Sequence, residues 1–201
     1  MKRQLVALAA IAALSPLAAQ AQDTGDWIVR ARAVSLSSEN NDDTGLDLSI
    51  NDKVIPEVDI SYFLSPNFAL ELILTYPQKH DVKSAGAKIG TFKHLPPTLT
   101  AQYHFTGMGW RPYVGLGLNY THISDVNWDP AVEAALQPSL KKDSFGLAAQ
   151  IGADVPVGGG WLLNVDVKKV QIGTEVSSFG AKVGDFKVDP WLVSVGFGKR
   201  F

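Results

Sequence analysis

The sequence predicts an all-β fold: an eight-stranded antiparallel transmembrane β-barrel with short periplasmic turns and four long extracellular loops. Three observations point there. The N-terminus resembles an export leader, eight later segments alternate apolar and polar residues, and the connections alternate between short and long. Side chains on a strand alternate faces, so a barrel wall in lipid reads apolar-out and polar-in with period two.

Lys2 and Arg3 supply a charged start, Leu5 to Leu17 an apolar stretch, and Ala19-Gln20-Ala21 a small-x-small cleavage pattern. That stretch is shorter than the roughly 20 residues a spanning helix needs. Residues 1–21 therefore read as a cleavable signal peptide and 22–201 as one outer-membrane barrel domain. Losing Lys2 and Arg3 from the 18 basic residues leaves 16 against 20 acidic ones, a net charge near −4 that gives no footing for nucleic acid. With no cysteine, neither a disulfide framework nor a thiolate zinc site is available. No later apolar run is long enough for a membrane helix, so residence in a bilayer requires a closed barrel.

The eight segments follow in order. Trp27, Val29, Ala31 and Ala33 alternate with Ile28, Arg30, Arg32 and Val34. Val54, Val58, Ile60, Tyr62 and Leu64 oppose Glu57, Asp59 and Ser61, and Phe68, Leu70, Leu72, Leu74 and Tyr76 oppose Asn67, Glu71 and Thr75. Leu99 to Phe105 alternate with Thr98, Thr100, Gln102 and His104, and Val114 to Tyr120 with Gly115, Gly117, Asn119 and Thr121. Phe145, Leu147, Ala149, Ile151 and Ala153 face away from Ser144, Gly146, Gln150 and Asp154. Trp161 to Val167 oppose Asn164, Asp166 and Lys168, and Trp191 to Phe197 oppose Ser194, Gly196, Gly198 and Arg200. Each is about ten residues long, enough for a tilted strand to cross a bilayer.

The connections at Ser65-Pro66, Thr106 to Trp110 and Pro156 to Gly160 are short, while 37–53, 77–94, 123–142 and 173–189 are long. Short inner turns, long outer loops and both termini inside are the outer-membrane pattern. A soluble lipocalin-like barrel would instead turn its apolar face inward. It would then have to expose an apolar wall or leave charges such as Arg30 and Glu71 with no place. Trp27, Phe68, Tyr103, Phe105, Trp161 and Phe197 form one aromatic level, and Tyr76, Tyr120 and Trp191 the other, as interfacial girdles do.

Inward positions change character with height. Arg30, Arg32, Glu57, Asp59, Glu71 and Asp166 form a polar plug in the lower lumen, where opposite charges must pair because an unpaired buried charge is costly. Towards the outer end Val34, Leu36, Ile55, Ile73, Val170, Ile172 and Leu192 form an apolar lining. That lining is either a binding funnel for small hydrophobic solutes or a rim packed against the loops. With the plug below, a solute in a funnel would leave sideways, and Pro56, Pro96 and Pro97, which donate no ladder hydrogen bond, weaken the wall there.

Two loop features stand out. Asp129-Pro130 ahead of Ala131 to Leu136 suggests a short capped helix over the mouth. Gly86-Ala87-Lys88-Ile89-Gly90-Thr91-Phe92-Lys93 is echoed by Gly180-Ala181-Lys182-Val183-Gly184-Asp185-Phe186-Lys187, through duplication of a half-barrel or convergence on one hairpin design. Enzymatic signatures are missing: His80, His94, His104 and His122 show no metal spacing, and there is no Gly-x-Ser-x-Gly elbow. No cofactor or metal is expected.

Four stretches together resemble the OmpW family of small outer-membrane proteins, including its alkane-uptake members. They are Trp27-Ile28-Val29-Arg30, then Pro96-Pro97-Thr98-Leu99-Thr100-Ala101-Gln102-Tyr103, then Arg111-Pro112-Tyr113-Val114-Gly115-Leu116-Gly117-Leu118-Asn119-Tyr120, and finally Asp189-Pro190-Trp191 with Arg200-Phe201. The resemblance implies the outer membrane of a Gram-negative bacterium, passive uptake of small apolar solutes and lateral release. It also implies that Phe201 ends the insertion signal read by the barrel-assembly machinery. Expected partners are outer-membrane lipid, small hydrophobic solutes and, during biogenesis, that machinery; nucleic acid is not among them. The oligomeric state stays open, a monomer being enough to close the sheet. The alternative function is a structural or adhesive barrel whose loops bind host factors, phage or bacteriocins.

Overall fold

The computed structural model describes residues 24–201, so the predicted leader lies outside the described residues. Within them the chain runs β1 (Trp27–Ser37), the short β2 (Asn41–Asp42) and β3 (Leu48–Ile50), β4 (Lys53–Phe63) and β5 (Phe68–Leu74). The hairpin β6 (Gln78–Ser84) and β7 (Ala87–Leu95) precedes β8 (Thr98–His104), the long β9 (Arg111–Trp128), helix α1 (Pro130–Leu136) and β10 (Pro138–Leu140). Then come β11 (Asp143–Gly158), β12 (Trp161–Val170), the hairpin β13 (Gly173–Ser178) and β14 (Ala181–Lys187), and β15 (Trp191–Arg200).

Eight of these close a barrel in the antiparallel order β1-β4-β5-β8-β9-β11-β12-β15 and back to β1. The ends meet at the inner rim, where the Trp27 amide donates to the Phe201 carbonyl (3.2 Å) and the Phe201 amide to the Trp27 carbonyl (2.8 Å). Closure matters because lipid offers no partner to an unpaired strand edge. No described helix is long and apolar enough to cross a membrane.

The predicted face of every wall strand holds. Of the residues assigned to the lipid side, Ala153 alone is buried. Leu116 and Phe145 are 72% and 81% exposed, as residues solvated by acyl chains should be. The aromatic girdles also hold, with Phe68 against Tyr103 at the inner level (5.0 Å between rings) and Tyr120 against Phe145 at the outer level (4.9 Å).

The four long stretches hold regular structure, including the expected short helix and the hairpin design that the echo offered as one reading. Residues 77–94 form the β6–β7 hairpin, which pairs with the upper half of β9 and carries the barrel wall outward. Residues 173–189 form the β13–β14 hairpin, residues 123–142 hold the rest of β9, α1 and β10, and residues 37–53 hold β2 and β3. The period of two continues through them, but the outer solvent changes from lipid to water. In β6, Gln78, His80 and Val82 are buried while Lys79 faces out. A charged outer face therefore concealed a strand.

The sequence echo corresponds to one hairpin built twice. Ala85-Gly86 and Phe179-Gly180 each occupy a two-residue turn with both φ angles positive (47° and 80°, 50° and 78°), the conformation that matches strand twist. Helix α1 is present and capped, the Asp129 carboxylate accepting from the Ala131 amide at 2.9 Å. It buries none of its residues, so it is a surface link rather than a cover for the mouth.

Leu116 lies midway along the lipid-facing stretch of β9. Leu116→Arg is expected to destabilise the barrel by about 2–4 kcal/mol, the cost of a cation near the midplane. Urea unfolding of the barrel in lipid vesicles measures this, and an unchanged midpoint would contradict the membrane placement of that face.

Candidate functional site

The lower lumen is filled by a network of charged side chains that the barrel holds away from water. Register places Arg30 opposite Asp59 and Arg32 opposite Glu57 across β1 and β4, joining charges that the sequence put together in the plug. Arg30 is fully buried and uses its fork twice. Its Nε and Nη2 donate to the two oxygens of Asp154 (2.9 and 2.6 Å), and its Nη1 donates to Asp59 and Ser61 (2.7 and 2.8 Å). Arg32 pairs with Glu57 (2.9 Å), Asp59 (2.8 Å) and Glu71 (3.3 Å). Lys168 bridges Glu57 and Asp166 at 2.8 and 2.9 Å.

Sequence reading named six members of this plug; the structure joins Asp154, Lys168 and Tyr113 to them. Asp154 and Lys168 were legible by parity. Tyr113 sits two residues below Gly115 on the same inward face, and its hydroxyl donates to Asp166 (3.0 Å) and accepts from Asn164 (3.1 Å). Gly152 makes room for that ring, since a Cβ there would collide with it. A lumen packed in this way contains no straight aqueous path.

Above the plug the lining turns apolar. All seven predicted lining residues point inward. Val34, Leu36 and Ile55 form one cluster with Leu192 packed against it, and Leu192 itself is only half-buried. Leu36, Ile55, Ile73, Val170, Ile172 and Leu192 surround a cavity of about 30 Å³, with Glu57 and Lys168 below and Thr75, His94, Pro96 and Asn119 at the side. That volume is little more than a single water needs. The apolar lining also continues upward, as Leu48, Ile50, Val82, Phe92, Ile123, Val176 and Phe186 form a core above Val170 and Ile172. The rim therefore packs against the extracellular hairpins, as one of the two readings expects, and leaves a small cup within it. A larger open groove of about 660 Å³ includes Lys141, Phe145, Gln171 and Lys187. It touches the cup's lining at Ile172 and is otherwise bordered mostly by polar and charged residues of the outer rim.

The wall beside the cup is interrupted. The β5–β8 ladder ends at Ile73 and Thr98, and the β6–β7 ladder begins at Gln78 and His94. Between them Thr75, Tyr76 and Pro77 confront Pro96 and Pro97, which have no amide hydrogen to offer. On the other side β4 stops pairing with β5 at Val58 and Leu74, just below Pro56. Side chains replace the missing rungs. Thr75 donates to the Pro56 carbonyl (3.0 Å), and Gln78 donates to Thr75 (3.1 Å) and to the Tyr76 carbonyl (2.7 Å). The diproline is held to β9 instead, where Asn119 donates to the Pro96 and Pro97 carbonyls (3.3 and 3.2 Å).

The closed antiparallel barrel is the fold of the structures this chain is similar to. Residues 23–201 match the OmpW family. The chain belongs to that family. Outer membrane protein W of Vibrio cholerae is 32% identical over the full length of both chains. An outer-membrane protein of Sinorhizobium fredii, y4mB, is 39% identical over 87% of this chain and 80% of its own. The dibenzothiophene metabolism operon protein PahQ of Pseudomonas aeruginosa is 28% identical over 71% and 69%. Among solved structures, the outer membrane protein OprG of Pseudomonas aeruginosa superposes with a TM-score of 0.79 at 28% identity, covering 89% of this chain and 97% of that one. This OmpW-family chain is accordingly an outer-membrane barrel of a Gram-negative bacterium.

The members that sequence reading missed in this OmpW-family lumen are two histidines. His80 and His94, assigned to a loop, face inward from β6 and β7 with ring centres 4.8 Å apart and Phe92 beside them. His80 Nδ1 lies 3.1 Å from the Asn51 carbonyl, whereas neither ring nitrogen of His94 has a hydrogen-bond partner. The signal was present: Gln78, His80 and Val82 keep the inward parity. Among the described residues no three His, Cys, Asp or Glu side chains converge as a metal site.

Burial is the largest influence on both rings and lowers their pKa from 6.5, to about 4 for His80 and about 3 for His94. Lys53 acts in the same direction on both, while the Asn51 carbonyl, Asp81 and Asp52 oppose it at His80. The unfolded hairpin therefore binds protons that the folded one refuses. Its stability is complete above pH 6.5 and drains as the pH falls towards 4. Amide-exchange protection across β6 and β7 should drop over that interval by on the order of a few kcal/mol, one pKa unit being about 1.4 kcal/mol. The H80F/H94F double variant should flatten the profile, and a wild-type profile already flat would contradict this account.

Arg30 anchors the plug. Arg30→Met removes the cation that Asp59 and Asp154 share and is expected to cost about 3–5 kcal/mol, the usual penalty for halving a buried pair. Equilibrium unfolding in vesicles tests this. A loss below about 1 kcal/mol, the range of exposed pairs, would mean that water reaches the plug.

Proposed function

We propose that this barrel is a passive channel for small hydrophobic molecules, which enter the apolar cup from outside and leave sideways into the bilayer. The observation that carries the reading is the coincidence of three features at one height. An apolar cavity lies directly above a sealed ionic plug, and the ladder beside it is broken at Thr75 and Pro96, both of which line the cavity. Straight passage would require an apolar solute to displace ion pairs that have no water to replace them. Sideways passage needs only the local side-chain bonds at Thr75 and Gln78 to yield, each worth roughly 0.5–1.5 kcal/mol. The resemblance to a family with alkane-uptake members points the same way, and so does PahQ, named for an operon of aromatic-heterocycle metabolism.

The cavity is smaller than any such solute, so uptake includes a widening of the cup. The β6–β7 hairpin is the element able to provide it. Its inner flank is tied down by three paired residues of β3 and by bonds to Asn51.

Vesicles with a lipopolysaccharide outer leaflet supply the test, because that leaflet resists hydrophobic solutes. Protein-containing vesicles should take up a hydrophobic fluorophore faster than protein-free ones. Ile73→Arg and Leu192→Arg, which place a cation in the cup, should return uptake to the protein-free rate while the barrel stays folded. Pro96→Ala, which restores a ladder donor beside Thr75, should slow it. Undiminished uptake in both arginine variants would refute the cup as the route and favour a barrel that works through its loops.

A further inference from the structure

His94 is the one lining residue whose chemistry does not suit its surroundings. It is 1% exposed, it borders the apolar cavity, and both of its ring nitrogens lack a hydrogen-bond partner. A neutral imidazole carries one donor and one acceptor. Leaving either unmade in an apolar site costs more than a hydrogen bond normally returns. A phenyl ring would fill the same space beside Phe92 without that penalty.

The other polar groups at the cavity wall are already engaged. Lys168 holds Glu57 and Asp166, Asn119 holds the diproline carbonyls and Thr98, and Thr75 holds Pro56. The neighbouring imidazole of His80 is directed to the Asn51 carbonyl through Nδ1. His94 is thus the polar side chain on this wall with unused hydrogen-bonding capacity, in reach of a solute that enters between Leu36, Ile55 and Ile73.

We infer that His94 is a specificity residue that selects apolar solutes bearing a single hydroxyl or carbonyl group over pure hydrocarbons. The inference rests on the channel reading and names its substrate class. The apolar lining takes the hydrocarbon body, and the imidazole takes the polar group as donor to a carbonyl or as either partner to a hydroxyl. A solute with two separated polar groups would leave one unpaired against Leu36 or Ile73 and would be rejected.

Cyclohexanol and methylcyclohexane, alike in size and different in one polar group, make the test. In the same lipopolysaccharide-faced vesicles, and relative to protein-free controls, wild-type protein should favour cyclohexanol by about two- to tenfold, the range of one net hydrogen bond. His94→Phe should abolish the preference without abolishing uptake, and His94→Gln should restore part of it. Independently, imidazole nitrogen resonances of the full barrel in lipid nanodiscs should shift at His94, and not at His104, on addition of cyclohexanol. Equal uptake of both solutes with unshifted His94 resonances would overturn the inference and leave the channel standing. A cyclohexanol-dependent shift without uptake of either solute would overturn the channel and leave the binding site.

Discussion

The narrowness of an eight-stranded barrel governs the rest of this structure. Lipid forbids an unpaired sheet edge, so the wall must close, and at eight strands it closes around a space only wide enough for its own side chains. Whatever points inward is buried. Arg30 and Arg32 on β1 can therefore exist only because β4, β5 and β11 bring Asp59, Glu57, Glu71 and Asp154 to them within hydrogen-bonding distance. Glycine at 152 is part of the same constraint, a deleted side chain that makes room for the ring of Tyr113. The ionic plug is a packing solution before it is anything functional, and its consequence is that the lower barrel is shut.

Shutting the lower barrel transfers the functional question to the wall. A ladder of backbone hydrogen bonds is hard to open because each rung lost leaves two groups stranded in hydrocarbon. The stretch at Thr75, Tyr76, Pro96 and Pro97 avoids that cost, because the prolines contribute no donor and the carbonyls of Pro96 and Pro97 are satisfied from the β9 side by Asn119. Local opening there breaks side-chain bonds rather than rungs. The same residues that would be faults in a structural barrel thus leave the wall with the fewest rungs to lose at the height of the cup.

Much of this was legible in the sequence, and the failures have one cause. Parity assigned the faces of all eight wall strands and put Arg30 and Arg32 on the same inward side as Glu57 and Asp59, because a period of two survives any uncertainty about where a strand begins. It also gave the inward direction of Ile73 and Val170. The echo of 86–93 in 180–187 left a hairpin design as one of two readings, but parity did not carry the strands through 78–95 and 173–187, because the meaning of polarity changes at the membrane boundary. Lys79 and Asp81 lie on the face that, lower down, carries Leu70 and Leu72. Read against the lipid pattern they suggest a loop, whereas read against water they continue the strand. Misplacing His80 and His94 followed directly from that. The smallness of the cup was not legible at all, since volume depends on how Phe92, Ile123 and Val176 pack above it, and no pattern along the chain encodes that.

The position of the cup relative to the hairpin has a further consequence for how a solute would be admitted. The core above the cavity is contributed by β3, β6, β7, β9, β13 and β14, so a solute would not find an open funnel but would compete with apolar side chains for the same lining. Apolar surface uncovered by lifting a hairpin is covered again by the solute, and the net hydrophobic cost of entry is therefore small. What the exchange cannot repay is the polar part. The bonds of His80 and Asp81 to Asn51 and the short β3–β6 ladder must be given up or preserved as a unit. Admission is then decided less by how greasy the solute is than by whether the polar groups around it end with partners. Among the side chains bordering the cavity, that condition falls most heavily on His94.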